Sequence, residues 1–235
     1  MRLLIVSTSK IYGSEYMEYL LDELEDFYKN TNEILFIPYA RPSGISFEEY
    51  TSYPKKAFAK IGKVVKGIHE FEDPKKAIKN SKGIFTGGGN SFVLLKTLYD
   101  LDLIDCLADQ VKGGTAYMGS SAGSNIAGMS IGTSNDMPIV YPPSFNALAL
   151  LPFNINPHYL DPDPDSKHQG ETRATRIGEF HHYNSQKVVG LREGSWLRYE
   201  GNKLILKGNL AARIFSKNEE TVEMQPGDLS ILLKG

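Results

Sequence analysis

Short, fully apolar runs alternating with amphipathic stretches constrain this 235-residue chain more than any other feature. Leu3 to Val6 has no polar residue to face solvent, as in a strand covered on both sides. Between Glu15 and Lys29, Met17, Leu20, Leu21, Leu24 and Phe27 recur at helical spacing, with Ser14 placed to cap. A second strand is predicted over Glu33 to Ala40. A helix follows from Phe47 to Ile61, unsettled by Pro54, and then a third strand from Lys63 to His69. Asp73-Pro74 opens a short helix, since a first-turn proline lacks only an N–H that would have no partner there. Gly83 to Thr86 is a fourth strand, ending in Gly87-Gly88-Gly89-Asn90-Ser91. Helical stretches over Phe92 to Leu101 and Leu103 to Val111 lead to the apolar Ala116-Tyr117-Met118. Each helix gives room for a parallel crossover. The prediction is an α/β fold with a mostly parallel, doubly wound sheet, helices on both faces and ligands at the carboxyl ends of the strands.

From Lys187 the texture changes. Val188 to Leu191, Trp196 to Tyr199, Leu204 to Leu206, Ala211 to Phe215 and Leu229 to Leu233 are short strand-like runs, punctuated by Glu200-Gly201-Asn202 and Lys207-Gly208-Asn209. With no flexible linker before them, they read as antiparallel strands added to the sheet, so residues 1–235 form a single domain. A net charge of −2 gives no electrostatic case for nucleic acid. No apolar segment reaches the ~18 residues of a membrane span. The lone Cys106 and an N-terminal apolar run too short for a signal peptide point to a soluble cytoplasmic protein. The oligomeric state is not legible.

Both glycine-rich turns fall at predicted strand ends. Gly119-Ser120-Ser121-Ala122-Gly123 fits G-x-S-x-G, in which a serine on a sharp strand-to-helix turn needs nearly side-chain-free neighbours two residues away. Ser121 has glycine on both sides at that distance, whereas Ser120 has Met118 and Ala122. A glycine-rich turn without chemistry fits the same five residues. A serine nucleophile also needs a base, and the base an orienter. Of His69, His158, His168, His181 and His182, the last two sit side by side on a predicted helix from Gly170. His158 lies in Asn154-Ile155-Asn156-Pro157-His158-Tyr159, beyond a strand-like Ala147 to Phe153, where a base is presented without being buried. Asp136 is one candidate orienter, and the order Ser121, Asp136, His158 is that of α/β hydrolases. An Asn-Asp turn explains Asp136 equally, and Glu193 is its rival.

An oxyanion hole needs two N–H groups. Ala122 at a helix start supplies one, and Gly88 or Gly89 the other. Asp161-Pro162-Asp163-Pro164-Asp165 with His168 reads as a solvated loop rather than a metal site, and no cofactor motif is present in full. Arg173 or Arg176, if turned toward the pocket, would clamp a carboxylate.

Six motifs in order, Phe36-Ile37-Pro38-Tyr39-Ala40, Gly87-Gly88-Gly89-Asn90, Gly119 to Gly123, Thr133-Ser134-Asn135-Asp136-Met137-Pro138, Asn156-Pro157-His158 and Gly170-Glu171-Thr172-Arg173, resemble the peptidase E (α-aspartyl dipeptidase) family. The resemblance implies a cytosolic serine peptidase, free of metal and related in fold to class I glutamine amidotransferases, that acts on dipeptides with an N-terminal aspartate. It implies Ser121 as nucleophile, His158 as base, Asp136 or Glu193 as orienter, Arg173 on the substrate aspartate, and Gly88, Gly89 and Asn90 as the oxyanion and substrate loop. Ser120 departs from the family's bulky aromatic beside the nucleophile, which bears on pocket shape. The remaining alternatives are a related peptidase for β-aspartyl or cyanophycin-type linkages and a non-catalytic ligand-binding module.

Overall fold

The computed structural model of the chain describes residues 1–42, 44–163, 165, 167 and 170–234; Pro164 and His168 of the acidic, proline-rich stretch lie outside them. Five parallel strands form the centre of the larger sheet: β1 (Arg2–Val6), β2 (Glu33–Ile37), β3 (Val64–Gly67), β4 (Gly83–Thr86) and β5 (Ala116–Ser120), in the order β1-β5-β4-β2-β3. Their side chains alternate between two cores. Leu3, Ile5, Leu35, Ile37, Ile84 and Tyr117 pack on one face against α3 (Pro74–Asn80), α4 (Ser91–Asp100) and α5 (Ile104–Lys112). Leu4, Val6, Ile34, Phe36, Phe85 and Met118 pack on the other against α1 (Leu21–Phe27) and α2 (Phe47–Ala59). Burial on both faces is why these strands carry continuous apolar runs.

The C-terminal strands divide between two sheets. Those we label β8 (Ser195–Glu200), β9 (Lys203–Gly208) and β12 (Gly227–Asp228) extend the large sheet antiparallel beyond β1. The others, β7 (Val188–Leu191), β10 (Ala212–Phe215) and β11 (Val222–Met224), join β6 (Asn154–Pro157) in a four-stranded sheet ordered β11-β10-β7-β6. The β6–β7 pair is parallel, with Pro157 opposite Leu191. Ile155, Val189 and Leu191 share the core of the first face, so the two sheets are packed as one body. Outside the small sheet lies α7 (Arg173–Tyr183).

Several local expectations are corrected by the packing. The first helix begins later than expected, because Met17 is left-handed at φ 58° and a 3-10 turn over Glu18–Leu20 precedes α1. Ser14 does not cap it; its hydroxyl is bonded within the loop to Ile11. Ala147 to Phe153 is not a strand but an irregular segment held by α6 (Ala122–Asn125) and the turn after it, with Leu148 N–H donating to Ile126 O and Leu150 N–H to Ala127 O. The strand falls instead on Asn154–Pro157, whose amides are buried because Asn154 bonds Ser130 and Asn156 bonds Thr133 O. Leu229 to Leu233 closes as a 3-10 turn over Ser230–Leu233. Pro54 is accommodated within α2. No helix among the described residues is long and apolar enough to cross a membrane.

Candidate active site

The centre of the site is the turn between β5 and α6. Val6 and Thr86, the last residues of β1 and β4, pair with Ser120 and Gly119 of β5, so the turn emerges between two strand ends. Ser121 has φ 54° and ψ −112°, a conformation that costs a non-glycine residue about 1–3 kcal/mol. Its N–H donates to Val6 O at 3.2 Å, and its carbonyl accepts from Ser124 and Asn125 N–H at 2.9 Å each. The buried Ser124 hydroxyl, 2.7 Å from both Val6 O and Gly119 O, ties strand to helix behind it. The glycines are required by space: a Cβ on Gly119 would lie 2.2 Å from Gly123 O, and one on Gly123 2.1 Å from Thr86 O. Because those neighbours are backbone, Gly119→Ala is expected to destabilise the fold by about 3 kcal/mol or more. Urea unfolding checks this, and an unchanged midpoint would show that the turn has room to relax.

The other half of the site comes from the small sheet. Parallel pairing carries His158, just past β6, alongside Arg192 and Glu193, just past β7. His158 Nε2 is 2.9 Å from Ser121 Oγ, and His158 Nδ1 is 2.6 Å from Glu193 Oε1. Buried Ser7, one residue beyond β1, accepts from His158 N–H at 2.9 Å and donates to Leu191 O at 2.7 Å, which locks the large sheet to both strand ends of the small one. His158 is held at φ 52° by these bonds and by a bond from Asn135 Nδ2 to Pro157 O. Glu193 is half exposed and faces Tyr19, whose phenol is pushed up by burial and by that charge and stays a neutral donor to Thr8 O.

Asp136 is placed elsewhere. Its Oδ2 accepts from Ser91 N–H at 2.7 Å and Ser134 Oγ at 3.1 Å, which puts a carboxylate on the N-terminus of α4 rather than on the imidazole. The seat expected for Asp136 is taken by Glu193, because β6 and β7 are paired and the loop carrying Asp136 is pulled toward α4. Asn90 anchors the same loop: its Oδ1 caps α4 through Phe92 and Val93 N–H, and its Nδ2 donates to Met137 O.

Gly88 lies against Ser121, since a Cβ there would meet Ser121 Cβ at 2.9 Å. Tyr50 OH fixes its carbonyl at 2.9 Å. Gly89, at φ 143°, has no room for a Cβ beside Ala40 O. Among the described residues, the N–H groups of Gly88, Gly89 and Ala122 have no acceptor in the protein. Beside them is a cavity of about 290 Å³ lined by residues that include Ser121, Ala122, Asp136, His158 and Arg173. Arg173 opens α7, after Thr172 caps it, and donates to His158 O. Its half-buried guanidinium has a lowered pKa through desolvation, opposed by the charge of Glu193. Arg176 faces away, near Glu171.

The model of peptidase family S51 matches residues 3–207. The chain belongs to peptidase family S51. It is 46% identical over 236 residues to a protein of Drosophila melanogaster named "Probable alpha-aspartyl dipeptidase", covering 99% of this chain and 97% of that one. It is 47% identical over 234 residues to peptidase E of Streptomyces coelicolor, covering 99% and 95%. A solved peptidase from an acI-B1 actinobacterium shares the fold at a TM-score of 0.71 and 16% identity, over 95% of this chain and 94% of that one.

In this S51 member the supporting residues were the hardest to foresee. Ser7, Asn135 and Asn156 hold the histidine loop, with Asn156 Nδ2 donating to Asn135 Oδ1 at 2.9 Å. Asn135 and Asn156 stand within two of the six motifs, and asparagines at alternate positions, Asn154 and Asn156, mark amides buried along a strand. Of the other histidines, His181 is buried in α7 against Gln186 O, and His182 sits on the same last turn. His69 packs against Phe47, away from Ser121. Asp161 serves as a brace: Arg192 grips it through two nitrogens at 2.8 and 2.9 Å while also holding Glu223.

Proposed function

We propose that this S51 member hydrolyses dipeptides with an N-terminal aspartate through an acyl-enzyme on Ser121. The observation that carries the proposal is the line Ser121 Oγ, His158, Glu193, closed by contacts of 2.9 and 2.6 Å at the mouth of a small cavity that Arg173 lines. Ser121 attacks the carbonyl of the aspartyl residue while its proton passes to His158 Nε2. Glu193 accepts from Nδ1–H, which fixes the tautomer and stabilises the imidazolium. The developing oxyanion takes bonds from Ala122 N–H and from the free N–H groups of the Gly88-Gly89 turn. His158 then protonates the leaving amine, and water, activated by the same base, resolves the ester. The cavity of about 290 Å³ suits a short acyl group, and Arg173 is the cation in it that meets a side-chain carboxylate. The name of the Drosophila melanogaster relative, "Probable alpha-aspartyl dipeptidase", agrees with that substrate.

Arg173→Ala is expected to remove about 2–5 kcal/mol of transition-state binding for an aspartyl substrate. The measurement is kcat/KM on the unblocked p-nitroanilides of α-aspartate, β-aspartate and leucine. The wild type should turn over the α-aspartyl amide, and the variant should lose that preference. Equal wild-type turnover of aspartyl and leucyl amides would contradict the substrate assignment.

A further inference from the structure

We propose that Arg41 binds the C-terminal carboxylate of the dipeptide and so makes the site count the residues beyond the scissile bond. This rests on the aspartyl dipeptidase reading above and concerns the leaving half of the substrate.

Among the described residues, Arg2, Arg176, Arg192, Arg198 and Arg213 each lie within 4 Å of a carboxylate. Within the same residues Arg41 and Arg173 do not, and both follow the carboxyl ends of strands, Arg41 after β2 and Arg173 against His158 O beyond β6. Arg173 is in the cavity already described. Arg41 is exposed, on the loop leaving β2. Since β2 neighbours β4 and β4 neighbours β5, that loop lies two strand spacings from the elbow, roughly 10 Å. It is tied to the glycine turn: Ala40 O accepts from Asn90 N–H at 2.7 Å and fills the space a Gly89 Cβ would need.

The guanidinium is also oriented. Its carbon sits 4.6 Å from the ring centroid of buried Tyr50, whose hydroxyl holds Gly88 O, and Gly88 abuts Ser121. A guanidinium already held against an aromatic ring loses less entropy on binding. In a dipeptide the attacked carbonyl and the terminal carboxylate are one residue apart, roughly 3.5 Å. The Arg41 side chain reaches back from its loop as far as Tyr50, the residue that holds Gly88. A tripeptide would place an uncharged peptide group there instead.

The test compares kcat/KM for α-Asp-Leu and its C-terminal amide, which differ in the charge alone. The wild type should prefer the free acid roughly ten- to hundredfold, as for a hydrogen-bonded charge. In Arg41→Ala the preference should collapse toward unity through a raised KM for the free acid, and Arg41→Lys should restore part of it. A wild type that cleaves both equally would overturn the proposal, as would an Arg41→Ala variant that loses the same factor on both substrates, because the residue would then act only by bracing Tyr50 and Gly88. Failure of the wild type to cleave either would overturn the dipeptidase reading, and this proposal with it.

Discussion

Glu193→Gln is expected to lower kcat on an α-aspartyl amide by about four orders of magnitude, while Asp136→Asn stays within about tenfold of wild type. The contrast follows from what each carboxylate touches. Glu193 Oε1 is 2.6 Å from His158 Nδ1, so an amide there can present its NH2 group and favour the tautomer with the proton on Nε2, the nitrogen that must accept from Ser121. Asp136 accepts from Ser91 N–H and Ser134 Oγ through one oxygen, and asparagine keeps one oxygen to do the same. Its loss weakens the start of α4 and the cavity wall, and reaches His158 only through the loop. Steady-state kinetics with thermal unfolding of both variants checks the pair. Loss of activity in Asp136→Asn with a retained Glu193→Gln would reverse the assignment.

Ser121→Ala is expected to lower kcat by about 10⁶ while leaving the melting temperature near that of wild type. Alanine keeps the Cβ, so it meets the same φ of 54° and the same neighbours, and the backbone bonds to Val6 O and from Ser124 and Asn125 N–H are untouched. His158 loses one partner at a partly exposed position and keeps Glu193 and the Ser7 bond. A variant that unfolds would mean that the hydroxyl holds the turn together. A folded variant that retains activity would mean that another group carries the attack.

Much of the fold was legible because the parallel strands are covered on both faces, so their apolar runs are continuous, and because glycine marks the ends of β4 and β5. Gly83 to Thr86 matches β4, and the turn at Gly119 to Gly123 matches the β5–α6 junction, because there is no space for any other residue. The small sheet was harder. β6 carries two buried asparagines, whose polarity is answered by Ser130 and by the loop at Thr133, contacts about twenty residues distant in the chain. Local pattern therefore placed the strand on the apolar residues before it. The choice between Asp136 and Glu193 had the same origin. Chain order favoured Asp136, whereas the parallel pairing of Pro157 with Leu191 brings Glu193 to the histidine, and that pairing leaves no mark in either segment alone.

The most direct test of the account is to treat the protein with a fluorophosphonate and follow intact mass, the modified peptide and turnover of an α-aspartyl amide together. The account predicts one adduct per chain, on Ser121, forming in step with the loss of activity and much more slowly in Glu193→Gln. Full activity in an unlabelled protein, or an adduct on a residue other than Ser121 that tracks the loss, would contradict it.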